Sequence, residues 1–159
     1  MTMLSATLKS NLLAMGLFDN EPDAIAAWAG AFKTYFSSAS AGPVPVVAAA
    51  LTSPEAAMKG AMVGLSTGGA AVLQAGILAF WGALNPVATY FPAGLTITPP
   101  VGLAGLAASL GAVFAANVVG AKSAVDSYDA IAAAIHAANA GGIVAFPIPP
   151  AGIGPQTIL

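Results

Sequence analysis

The sequence predicts a mainly α protein, an irregular bundle of four to six helices with a Pro/Gly-rich connection and an extended C-terminal tail. Three observations lead to that expectation. Apolar residues recur at three- and four-residue spacing in several stretches, the period of a helix that buries one face. Capping residues bracket those stretches. Prolines and glycines punctuate residues 85–100 and the stretch after Gly142, where they exclude helix. A length of 159 residues suits one domain. We read it as a helical body over residues 1–142 and an extended apolar tail over residues 143–159.

The first helix is expected over residues 3–15, where Met3, Leu4, Leu8, Leu12 and Met15 share a stripe and Gly16 offers a C-cap. The second begins at Asn20 as N-cap, with Pro22 in the first turn. Glu21 and Asp23 lie at its positive end and Lys33 near its negative end. Its apolar face carries Ile25, Trp28, Phe32 and Tyr35 or Phe36. Gly42, Pro43 and Pro45 then close it.

The clearest helix start is LTSPEAAMKG, with Thr52 or Ser53 as cap, Pro54 in the first turn and Glu55 behind it. Run unbroken to Trp81, this helix would be about 42 Å long, too long for so small a domain, so a kink or split at Gly68–Gly69 is expected. Residues 85–100 form the connection, with Thr96 to Thr98 extended. Another helix follows from near Val101 through Leu103, Leu106, Leu110, Val113, Phe114 and Asn117. The last runs from about Ser123 to Asn139 and ends at Gly141–Gly142.

Charge is the most unusual feature. Hydrophobic residues make up 58% of the chain and charged residues 6%, where about 25% charged is usual. There is no arginine, and residues 60–121 contain neither a formal charge nor a histidine. A monomeric soluble domain carries a charged surface without large apolar patches. The middle third of this chain has no residues with which to build one, so part of its surface is expected to be covered by protein or lipid. The segment Gly60–Leu84 is long enough to cross a membrane. Its many glycines, with Ser66, Thr67 and Gln74, and the lack of a Lys/Arg bias at its flanks argue against that reading. The start of the chain lacks the pattern of a signal peptide. With four lysines dispersed along the chain and a net charge of −2, nucleic acid is not an expected partner.

Residues for catalysis are scarce, and no enzymatic activity, metal or cofactor is expected. The single histidine, His136, lies in the last predicted helix, two turns from Asp129, too far for contact. A histidine favoured at a helix C-terminus explains it without chemistry. Asp126 and Asp129 share a helix face, and Asp19, Glu21 and Asp23 cluster at a helix start, but no further ligands accompany either group. GLSTGGAA is glycine-rich like a phosphate loop but has no Walker lysine and falls inside a helical pattern, where packing or a kink explains it. Cysteine is absent, which excludes disulfides and thiolate metal sites.

The aromatic residues suit either a core or an interface, since Trp and Tyr combine apolar area with a polar handle. Core packing is the default. As candidate interface residues we take Trp28, Phe32, Tyr35, Phe80, Trp81, Tyr90, Phe91, Phe146 and Ile148.

In texture, residues 20–146 resemble small virion proteins of tailed bacteriophages placed around the tail or baseplate. The resemblance rests on the alanine-rich early helices, the centre AFWGALNPVATYFPAGLTITPPVGLAGLAASL and the late HAANAGGIVAF. It implies a structural or connector subunit of a virion assembled in the host cytoplasm. Its partners would be other structural proteins of the particle or copies of itself, with no cofactor. Residues 85–100 and the tail 143–159 are then expected to thread onto neighbours. The alternative is a small integral membrane protein, holin-like or pore-lining, located in a membrane.

Overall fold

The computed structural model describes residues 3, 5–15, 18–120, 123–145 and 155–158, with the side chains of residues 117–120 excepted. Leu4, Gly16, Lys122, Phe146, Ile148 and most of the predicted tail therefore lie outside the described residues, as does the side chain of Asn117.

Among the described residues, six α-helices carry the fold: α1 (Ser5–Ala14), α2 (Glu21–Phe36), α3 (Thr52–Ala61), α4 (Leu65–Gly82), α5 (Leu106–Gly120) and α6 (Ala124–Asn139). Each packs against the next in the chain, and α6 returns to pack against α1, so the helices close a ring around one core. The ring is why a chain with short, weakly amphipathic helices can still bury a continuous interior. Two helix starts follow their expected chemistry. Asn20 Oδ1 accepts the backbone N–H of Asp23 at 2.9 Å, and Ser123 Oγ accepts that of Asp126 at 3.1 Å.

Two helix starts differ from the sequence expectation, and one expected kink is present. A 3₁₀ turn, Ala48–Leu51, leads directly into α3, so Thr52 is already helical and no side chain caps the helix. The kink expected at the glycine pair is present, Gly69 leaving helical geometry within α4 at φ 48 and ψ −119, and a full break falls further upstream, at Gly64. Gly64 holds φ +87, a backbone region open to glycine and costly for other residues. Finally, Val101–Gly105 is a 3₁₀ turn and α5 starts only at Leu106. There the side chain of α4 residue Gln74 serves as a cap from a distance, its Oε1 accepting the N–H of Ala107 at 2.7 Å.

The remaining structure is a set of short strands. β1 (Ser40–Ala41) and β2 (Val44–Pro45) form a hairpin. β3 (Thr96–Thr98), β4 (Ile143–Ala145) and β5 (Gln156–Thr157) form an antiparallel sheet in the order β3-β4-β5. The connection and the tail, both expected to reach neighbours, thus pair with each other in the described residues, Thr96 opposite Ala145 and Thr98 opposite Ile143. Ile158 continues past β5 to bridge Ala41, linking the sheet to the hairpin.

Candidate functional site: the aromatic core, its polar pairs and the uncharged surface

The two aromatic groups of the sequence meet in one interior cluster. Phe32 and Phe36 of α2 pack edge-on against Phe80 of α4, with ring centroids 5.0 and 5.1 Å apart. Phe36 also meets Trp81 edge-on at 5.3 Å. These are the geometries that the aromatic quadrupole favours. Phe32, Tyr35, Phe80, Trp81, Tyr90 and Phe91 are all buried within the chain. They present no side-chain surface to a neighbour, so the core has taken six of the nine candidate interface residues. Trp28 remains half-buried beside the core. Phe146 and Ile148 lie outside the described residues.

Burial of Tyr35 and Trp81 requires partners for their polar ends, and α6 supplies both. The Tyr35 hydroxyl lies 2.8 Å from His136 Nδ1. Burial pushes the phenol's proton affinity up, which keeps it protonated in its hydrogen bond with the imidazole. The indole N–H of Trp81 donates to Asn139 Oδ1 at 2.7 Å, and Asn139 Nδ2 donates to the Ile135 carbonyl at 2.7 Å. His136 thus joins α6 to α2, while Asp129 pairs with Lys9 of α1 at 3.0 Å. Neither Tyr35–His136 nor Trp81–Asn139 carries a local sequence signal, because the partners lie 101 and 58 residues apart.

The charged residues are used in the same way. Glu55 of α3 receives Lys33 of α2 at 2.8 Å and Lys59 of its own helix at 2.6 Å. Its partial burial opposes ionisation, but the two ammonium groups outweigh this and hold its carboxyl below the usual range. Asp126 accepts from the Ser123 hydroxyl at 2.8 Å. Among the described residues, no group of three or more His, Cys, Asp or Glu side chains is placed to hold a metal ion.

The phosphate-loop-like GLSTGG segment opens α4, with Gly64 at its N-cap and the expected kink at Gly69. Its backbone already holds an anion, the Glu21 carboxylate. That group accepts the N–H of Gly64 at 2.8 Å, the N–H of Ser66 at 3.0 Å and the Ser66 hydroxyl. Glu21 therefore serves two positive helix ends together, its own at the start of α2 and that of α4. The Ser66 hydroxyl and these N–H groups lower its proton affinity. A hydroxyl beside a carboxylate suggests a nucleophile with a base, but a base needs its affinity raised toward neutral pH, and here it falls.

Glu21 and Ser66 line an open cleft of about 450 Å³ that also includes Phe18, Asp19, Trp28 and Tyr128. Elsewhere the described surface is short of charge. Within the uncharged span 60–121, Val63, Leu78, Leu95 and Val101 are exposed, Val101 at 94% and Val63 at 74%. In the same span α5 leaves Ala108, Ser109, Ala112, Ala115 and Ala116 exposed. When the chain is compared with known proteins, no family model, no curated protein and no solved structure matches it.

Proposed function

We propose that this chain is a structural or connector subunit of a large protein assembly, with a phage or phage-like tail or baseplate particle as the assembly its sequence texture suggests. The observation that carries the reading is the exposed, uncharged surface of residues 60–121, with Val63, Leu95 and Val101 in the open. Surface of that kind is stabilised when another protein covers it, by roughly 25 cal/mol per Å² of apolar area removed from water. The polar residues support the same role. Glu21, Gln74, Asn139 and the Glu55 ion pairs are engaged in joining helix to helix.

A membrane role is the second reading, because α4 is 18 residues long with a mean hydropathy of 1.3. Its side-chain distribution favours the first. The large residues Leu73, Ile77, Phe80 and Trp81 face the protein core, and the exposed residues Ser66, Thr67, Gly68, Ala71, Ala75 and Gly82 are small or polar, Leu78 being the one large apolar side chain turned outward. A lipid-facing helix places its large apolar residues outward. Fractionation of the native source separates the two readings. Recovery in sedimenting particles after detergent treatment is the expected result, and recovery only in detergent-extracted membranes would favour the alternative.

A further inference from the structure

We infer that the cleft at the start of α2 receives an arginine side chain from a different protein of the assembly. The chemistry of the site stands on the cleft itself, and the partner's place in an assembly rests on the reading proposed above.

The cleft gathers side chains that suit a flat cation. It has a volume of about 450 Å³ and is lined by Phe18, by Trp28 of α2 and by Tyr128 of α6. Of the seven candidate interface residues that the structure describes, Trp28 is the one the core has not buried. Its indole N–H and the Tyr128 hydroxyl have no hydrogen-bond partner among the described residues. Aromatic faces attract a cation, and a guanidinium also stacks on them. The same cleft carries the carboxylates of Asp19 and Glu21. Asp19 is exposed and makes neither an ion pair nor a hydrogen bond among the described residues. No lysine or histidine is among the described residues that line the cleft, so its negative charge has no counterpart there.

That combination selects the occupant. Carboxylate oxygens accept N–H bonds, which a guanidinium offers in a rigid fork and a quaternary ammonium does not offer at all. An apolar side chain would strip water from Asp19 without replacing it by a partner. The chain contains no arginine, so a second copy has no guanidinium to give. Its described lysines are already engaged, Lys9 by Asp129, and Lys33 and Lys59 by Glu55. Charge complementarity therefore points to a different protein as the donor.

The test follows the two indole N–H signals of the isotope-labelled full-length chain by NMR. The probe is the peptide acetyl-Gly-Arg-Gly-amide, and its control carries citrulline, which keeps the shape of arginine without the charge. The Trp28 signal should move saturably with the arginine peptide in the low millimolar range. The Trp81 signal, buried and bonded to Asn139, should stay in place. The citrulline peptide should bind about tenfold more weakly. Asp19→Asn, at an exposed site, should keep the fold and weaken the arginine peptide about threefold. The proposal is overturned by the absence of a saturable Trp28 shift at tens of millimolar peptide, by equal binding of the citrulline peptide, or by unchanged affinity in Asp19→Asn. Tighter binding of glycerophosphocholine than of the arginine peptide also overturns it, in favour of a lipid headgroup. Sedimentation of the chain without peptide separates this proposal from the assembly reading. A chain that assembles but does not bind the peptide overturns the cleft proposal alone, and one that binds it yet stays strictly monomeric overturns the assembly reading alone.

Discussion

Trp81 and Asn139 are joined side chain to side chain in the core, the indole N–H donating to the amide oxygen at 2.7 Å. Indole offers only a donor, so the bond fixes which way the Asn139 amide faces and turns its Nδ2 to the Ile135 carbonyl. Asn139 is fully buried, so no water replaces either bond. Asn139→Leu strands the indole N–H and is expected to cost about 1–3 kcal/mol in urea unfolding. In a double-mutant cycle with Trp81→Phe, the combined loss should be smaller than the sum of the single losses. Additive losses would show that the two residues do not act together.

Tyr35 makes alkaline stability informative. Its folded proton affinity is raised by burial. The corresponding stabilisation is present below the ordinary phenol pKa of about 10 and is lost as the pH rises above it. Tyr35→Phe should therefore flatten the alkaline side of the stability profile. At neutral pH it should cost about 0.5–1.5 kcal/mol for the lost hydrogen bond to His136. Denaturant titrations between pH 7 and the alkaline limit of folding measure both effects.

Glu21 governs the acid side in the opposite sense. Its folded proton affinity is lowered by the Ser66 hydroxyl and the α4 N–H groups. Its contribution is present above the ordinary carboxyl pKa of about 4.3 and is lost as the pH falls through the lower folded value. Glu21→Gln should lower stability near neutrality and reduce the slope of acid unfolding. Amide exchange at the start of α4 should quicken in the same variant. An acid profile identical to wild type would remove Glu21 from this role.

Gly142 tests the packing between the β4 strand and the core. A Cβ there meets the Trp81 ring within 2.9 Å, and a ring wedged against Phe36 has little room to move. Gly142→Ala should destabilise by about 1–3 kcal/mol through overpacking. Gly60→Ala, at an exposed helical site open to solvent, should be neutral or mildly stabilising. Thermal melts of the two variants should move apart.

Local chemistry made the helices legible. Asn20, Ser123 and the spacing of Ile25, Phe32 and Phe36 are signals carried within a few residues, and the helices they announce are present. The start of α3 was less legible, because a 3₁₀ turn replaces the side-chain cap at Thr52. The kink at Gly69 was legible from the glycine pair, whereas the further break at Gly64 was not, since the Glu21 carboxylate that binds its N–H lies 43 residues away. Tyr35 with His136 and Trp81 with Asn139 were not legible at all, since nothing near either residue announces a partner on another helix. The missing charge of residues 60–121 was plain in the sequence, but which of those residues stay exposed depends on how the ring of helices closes.

The central claim is that this chain is a subunit whose uncharged surface is covered by protein. Sedimentation velocity of the purified full-length chain across the micromolar range tests it most directly, with circular dichroism to verify folding. The account predicts discrete species well above the 15.4 kDa of one chain, growing with concentration. A single folded 15.4 kDa species that persists to high micromolar concentration would contradict it.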